Sequence, residues 1–144
     1  IKDRKLVFCD DSVVRGPQLG KQADRLYAEG CKETHVRIAC PPLLYPCRFI
    51  NFSRSRSEYD LIARRFIRGK EGDNVDPEGK PYREMVEFIR KKLNLTSLEF
   101  QRLDDLVESI GLPRESLCTY CFNGKDISID GGCSCCPCKC AKSK

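Results

Sequence analysis

No stretch of this 144-residue chain stays apolar for the length a membrane-spanning helix needs. No secretory signal opens it. Histidine is almost absent: His35 stands alone between Thr34 and Val36 on an expected strand, where a core or surface role is expected rather than a catalytic one. No internal repeat is visible. Blocks of like charge are missing too, because 26 Lys and Arg are interspersed with 21 Asp and Glu, for a net charge of +5. Such a balance suits nucleic acid or, equally well, an anionic small molecule. With the signs mixed, the small molecule is the expected partner, and neither nucleic acid nor membrane is.

Cysteine is plentiful. Of 11 cysteines, five crowd into Cys133–Cys140. In a secreted chain this count would indicate disulfides. Without a signal, a reducing, cytoplasmic setting is expected, in which cysteine clusters are more often metal ligands. The chain begins at Ile1 rather than Met, with its first strand almost at once, so a fragment is expected. One domain suits this length, with roughly two-thirds of the unfolded surface buried.

The hydrophobic pattern predicts alternating strands and helices. Lys5–Cys9 reads as a buried parallel strand and Gln18–Ala28 as a helix, with Leu19, Ala23, Leu26 and Tyr27 at helical spacing. Gly30 is a helix stop, and Thr34–Ala39 alternates as a second strand. This is a parallel crossover unit. Pro41, Pro42 and Pro46 then forbid regular structure. Ser57–Ile67, Tyr82–Leu93 and Leu103–Ile110 are expected helices, Ser97–Phe100 a short strand, and Lys70–Lys80 a mobile surface loop. Arg54, Arg56, Arg64, Arg65 and Arg68 are expected on a solvated helix face.

The chemistry concentrates between residues 6 and 19. An apolar run, Leu6 to Phe8, leads to two adjacent carboxylates, Asp10 and Asp11, then a loop with Gly16, then a helix start. Free N–H groups and the positive dipole end at a helix start favour phosphate. Paired carboxylates repel each other and want a cation or hydrogen-bond donors; they can accept bonds from sugar hydroxyls or serve Mg²⁺. Together these residues make a place for a phosphorylated sugar at a strand end. The alternative is a solvated turn closing the strand.

Asp10-Asp11-Ser12-Val13-Val14-Arg15-Gly16 resembles the phosphoribosyl pyrophosphate (PRPP) motif of type I phosphoribosyltransferases, and within them the glutamine PRPP amidotransferase family. Ala28 to Ala39, Cys40-Pro41-Pro42-Leu43-Leu44-Tyr45-Pro46-Cys47, Ile110-Gly111-Leu112 and Leu117-Cys118-Thr119-Tyr120-Cys121-Phe122 carry the resemblance on, from about Lys5 to Gly124. It implies an α/β fold: a partial type I phosphoribosyltransferase with a Rossmann-like parallel sheet, C-terminal helices and a Cys-rich tail. Residues 1–130 would be the C-terminal part of that domain and residues 131–144 the tail, disordered or metal-binding.

The resemblance also implies roles. Asp10 and Asp11 would hold the ribose hydroxyls and help organise Mg²⁺–PRPP. Ser12, Val13, Val14, Arg15, Gly16, Pro17, Gln18 and Leu19 would form the 5′-phosphate loop. Most members have threonine where this chain has Pro17, which lacks both an N–H and a hydroxyl, while proline is well tolerated at a helix start. Gln18 stands where threonine is also frequent. Cys47, Cys118 and Cys121 match three of the four ligands of the [4Fe–4S] cluster in one branch of the family, with the fourth outside this chain; the alternative is free thiols. The five tail cysteines, Cys133, Cys135, Cys136, Cys138 and Cys140, resemble a soft-metal tail and have no counterpart in the family pattern.

The implied activity is amidophosphoribosyl transfer, the first step of de novo purine synthesis, with purine nucleotides as feedback inhibitors and a homo-oligomeric assembly. The family's glutaminase domain, with its N-terminal cysteine nucleophile, has no counterpart here, so the chain alone should be inactive. Two other classes stay open: a non-catalytic PRPP-sensing regulator of the same fold, and a metal-binding Cys-rich protein. Cys47 with Cys118 and Cys121 argues against the sensor, which has no need of a cluster.

Overall fold

The computed structural model describes residues 1–47, 60–67 and 79–125. Three strands, β1 (Lys5–Asp10), β2 (Glu33–Ile38) and β3 (Ser97–Phe100), form a parallel sheet in the order β1-β2-β3. Phe8 lies opposite Val36, and Val36 opposite Leu98. α1 (Pro17–Ala28) connects β1 to β2; α2 (Ile62–Ile67) and α3 (Lys80–Lys92) lie between β2 and β3. α4 (Leu103–Ile110), a 3₁₀ turn at Arg114–Ser116 and α5 (Tyr120–Asn123) follow.

Strands that neighbour in sequence order with right-handed crossovers send their helices to one face. The core shows this. Val36, Ile38 and Leu98 from the sheet join Leu19 and Ala23 of α1, Ile62, Ala63 and Ile67 of α2, and Met85 and Ile89 of α3 in one buried cluster. β1 therefore departs from the buried strand expected of its apolar run: Leu6 and Phe8 are half-buried, while Val7 is 68% exposed.

The opposite face is polar apart from Val7 and Cys9, which stand opposite His35 and Arg37. Lys5 pairs with Glu33 at 2.6 Å, Glu33 with His35 at 3.0 Å, and the other ring nitrogen of His35 meets Ser97 at 2.8 Å. Arg37 donates to Ser97 at 3.1 Å and pairs with Glu99 at 3.2 Å. The Lys5 ammonium first, and His35 second, hold the Glu33 carboxyl below its usual range. His35, the sole histidine, is a structural link in this row. On the core side, fully buried Thr34 donates to the Tyr27 hydroxyl at 2.7 Å, and its N–H donates to Thr96 Oγ1 at 3.0 Å, so no polar atom of the residue is wasted.

The expected elements are present with small shifts. α1 starts one residue earlier than expected, at Pro17, because its ring presets φ for a first helical turn. α3 starts at Lys80 with Pro81 in its first turn for the same reason, so the expected Lys70–Lys80 loop gives up its last residue to the helix; residues 70–78 of it lie outside the described residues. The first part of the Ser57–Ile67 helix also lies outside them, and α2 begins at Ile62. Arg64 overturns the solvated-face expectation: it is 8% exposed, with its guanidinium carbon 4.6 Å from the Tyr45 ring centre. Cation–π contact compensates in part for its desolvation. Arg65 is exposed, while Arg54, Arg56 and Arg68 lie outside the described residues.

Met85 makes no contact with solvent. Met85→Ala should cost about 2–5 kcal/mol in urea unfolding. Glu87 receives two bonds from Arg90, at 2.6 and 2.7 Å, which pull its carboxyl from the ordinary 4.5 to about 2. A lowered folded-state value gives stability that is present above 4.5 and lost as pH falls toward 2. Glu87→Gln should therefore lose less stability than the parent over that acid range, read as unfolding midpoints against pH.

Candidate functional site

The strand-end carboxylates sit on the C-terminal rim of the sheet. The Ala39 N–H donates to the Asp10 carbonyl at 2.9 Å, extending the β1–β2 ladder and fixing the pair's place. The Asp11 N–H donates to Asp10 Oδ1 at 3.0 Å, and Ser12 Oγ donates more weakly to Asp11 Oδ1 at 3.4 Å. Asp11 is exposed and Asp10 half-buried. Val13 then dives into the core at 5% exposure, and the Val14 carbonyl accepts from the Ile62 N–H at 2.9 Å.

Gly16 closes the loop with φ of 84°, in the left-handed region that side chains avoid. It is crowded as well. A Cβ there would stand 2.7 Å from Leu93 Cδ2 and 2.8 Å from Ile62 Cδ1. Pro17 is the first helical residue and exposed, and the Gly20 N–H begins the helical ladder to the Gly16 carbonyl at 3.0 Å. The N–H groups of Gln18 and Leu19 precede that ladder and point toward the helix start. An open pocket of about 1030 Å³ runs along the stretch from Leu6 to Leu19, with Gln22 and Leu26 on its wall. All ten candidate residues, Asp10 to Leu19, line it.

The second constellation forms where α5 docks on the segment after β2. Leu44 and Tyr45 N–H groups both donate to the Cys121 carbonyl, at 2.8 and 3.0 Å. The Tyr45 ring lies 5.6 Å from that of Tyr120, and a Cβ on Gly124 would press into it at 2.7 Å. Cys47 is thereby brought alongside Cys118 and Cys121. Burial pushes the Cys121 thiol up to about 11, with the neighbouring sulfurs of Cys47 and Cys118 adding to the effect. Cys40 had no signal of its own in the sequence. It is pushed up to about 12, by burial first, then by the charges of Cys121, Asp11 and Asp10 nearby. Among the described residues, no three Cys, His, Asp or Glu side chains converge at the spacing of a single metal ion. The five tail cysteines lie outside the described residues.

A parallel sheet with an acidic pair at one strand end, followed by a buried left-handed glycine opening a helix, is the architecture of part of a type I phosphoribosyltransferase domain. Solved structures agree. The glutamine PRPP amidotransferase from B. subtilis, complexed with ADP and GMP, superposes with a TM-score of 0.65 at 27% identity, over 90% of this chain and 26% of that one. A structure described as the allosteric regulatory enzyme of purine biosynthesis gives 0.64 at 26% identity, over 90% and 25%. The amidophosphoribosyltransferase of Mycobacterium tuberculosis is 34% identical over 126 residues, 87% of this chain and 21% of its own. The chloroplastic enzyme of Glycine max is 34% identical over 125 residues, 87% and 18%. That of Methanothermobacter thermautotrophicus is 29% identical over 124 residues, 86% and 22%. No family model matches the chain. The chain belongs with the amidophosphoribosyltransferases and spans about a fifth of the length of the curated relatives it matches.

Gly16→Ala should cost about 2–4 kcal/mol, from backbone strain and overpacking together. Urea unfolding of the variant beside the parent measures it, and an unchanged midpoint would contradict the crowded turn.

Proposed function

We propose that this chain supplies the PRPP-binding, C-terminal part of a phosphoribosyltransferase domain that makes 5-phosphoribosylamine from PRPP and glutamine-derived ammonia. Pyrophosphate and glutamate are the other products. The observation that carries the reading is the rim loop: Asp10 and Asp11 at the end of β1, followed through Gly16 by the start of α1, all on one pocket. The regulator and Cys-rich metal-binding readings draw no support from the relatives.

In this reading Asp10 and Asp11 accept the ribose hydroxyls. Their hard oxygen donors, side by side, fit Mg²⁺, which enters with PRPP and supplies neutralisation of the pyrophosphate charge. The 5′-phosphate lies over the start of α1, where the Gln18 and Leu19 N–H groups and the helix dipole favour it. Pro17 removes one main-chain donor, and with it the hydroxyl that threonine would bring. Bond breaking at the sugar C1 is dissociative, with charge development like that of glycoside cleavage. It asks for positioning and charge neutralisation rather than a side-chain nucleophile, and the pocket wall offers ligands of that kind.

Cys47, Cys118 and Cys121 suit a soft-metal group: they are thiols from two segments, and Cys121 is costly to ionise without a cation. A fourth thiolate from outside these residues would complete a [4Fe–4S] site of structural and regulatory rather than catalytic role. A reducing, cytoplasmic setting, homo-oligomerisation and feedback by purine nucleotides belong to the same proposal. No described helix is long and apolar enough to cross a membrane.

Titration of the chain with Mg²⁺–PRPP should show saturable, Mg²⁺-dependent binding without turnover, and Asp11→Asn should weaken it about tenfold or more, the scale of a lost charged hydrogen bond. Pro17→Thr restores up to two donors and should tighten binding by about ten- to a hundredfold on the same scale. No saturable binding by the parent would sink the reading. Anaerobic preparation with iron and acid-labile sulfide analysis tests the thiol site separately, and Cys121→Ser should abolish any iron found.

A further inference from the structure

We propose that Leu93 is a positioning residue for the phosphate: its side chain seats the first turn of α1, so the C-terminal end of α3 sets the aim of the Gln18 and Leu19 N–H groups. Only the identity of the ligand rests on the PRPP reading above; the seat itself stands on packing. Leu93 caps α3 and is 3% exposed. It lies against two glycines one helical turn apart. A Cβ on Gly16 would be 2.7 Å from Leu93 Cδ2, and one on Gly20 would be 3.6 Å from the same atom and 3.8 Å from Leu93 Cα. The two glycines present bare backbone on one face of α1, and Leu93 fills it.

The contact is held from both sides. The Leu93 N–H donates to the Ile89 carbonyl at 3.0 Å, and Asn94, in the left-handed region at φ 54°, donates from Nδ2 to Asp24 of α1 at 2.9 Å. At the loop's entrance Ile62 grips the Val14 carbonyl by its N–H and presses its own Cδ1 toward Gly16. The loop thus cannot shift along α1 without unseating Leu93. Pro17 sharpens the dependence. With one main-chain donor gone, the first turn of α1 offers an anion only the Gln18 and Leu19 N–H groups, and donors whose direction is fixed beforehand bind at less cost.

The test compares Leu93→Ala with Ile89→Ala, a fully buried residue of the same helix that is not among the nearest neighbours of Gly16, and with Leu93→Met, which conserves volume. Three readouts are taken on the 144-residue chain: urea stability, amide hydrogen exchange at Gly20, whose N–H closes the first turn onto the Gly16 carbonyl, and Mg²⁺–PRPP affinity. Both alanine variants should lose stability. Only Leu93→Ala should speed exchange at Gly20 beyond its global loss and weaken PRPP binding about tenfold, while Leu93→Met keeps both. Equal local exchange in the two alanine variants, or parental exchange in Leu93→Ala, overturns the proposal. If the parent binds no PRPP, the functional reading fails and the exchange comparison still decides the seat. If Leu93→Ala does not fold, Leu93→Val, a smaller truncation, gives the same contrast.

Discussion

Gly16 has room for a hydrogen and nothing larger. Ile62 from α2 and Leu93 from α3 close on it from two directions, and the left-handed φ turns the chain from strand into helix at that point. The acidic pair, the loop and the helix start owe their relation to this contact. If the turn opened, α1 would swing away from the sheet, Leu19 and Ala23 would leave the core, and the rim pocket would lose its floor. A single backbone position thus joins core packing to site geometry.

Much of this was legible in the chain itself. The alternation of Thr34 to Ile38, the helical spacing of Leu19 and Ala23, and the carboxylates behind an apolar run are local patterns, and local patterns survive into the fold. What escaped reading depends on partners distant in sequence. Arg64 looks like one cation in a basic run, and only the approach of Tyr45 gives it a buried place. α5 is four residues long, too short for any periodicity, and owes its helix to docking on Leu44 and Tyr45. The exposure of Val7 follows from strand order, which no window around Val7 contains. The crowding at Gly16 comes from residues 46 and 77 positions away.

The rim gathers two kinds of chemistry, hard oxygen donors and soft sulfurs, and Cys40 feels the charge of both. Their proximity has a simple electrostatic reason to be tolerated. A thiol pushed to about 12 stays neutral, so it adds no charge beside Asp10 and Asp11. Neutral Cys40 thus adds no repulsion of its own to a rim that already carries two carboxylates.

The one-sided sheet has a calorimetric meaning. Its wet face, from Lys5 through Glu33, His35, Ser97 and Arg37 to Glu99, exposes mainly polar atoms that unfolding leaves in water. Heat capacity on unfolding rises with apolar area newly exposed and falls with polar area. A parallel sheet covered on both faces would expose twice the apolar layer. This chain should therefore have a shallow stability curve for its size, changing little between cool and warm conditions, because the half of its sheet that faces outward was never dry.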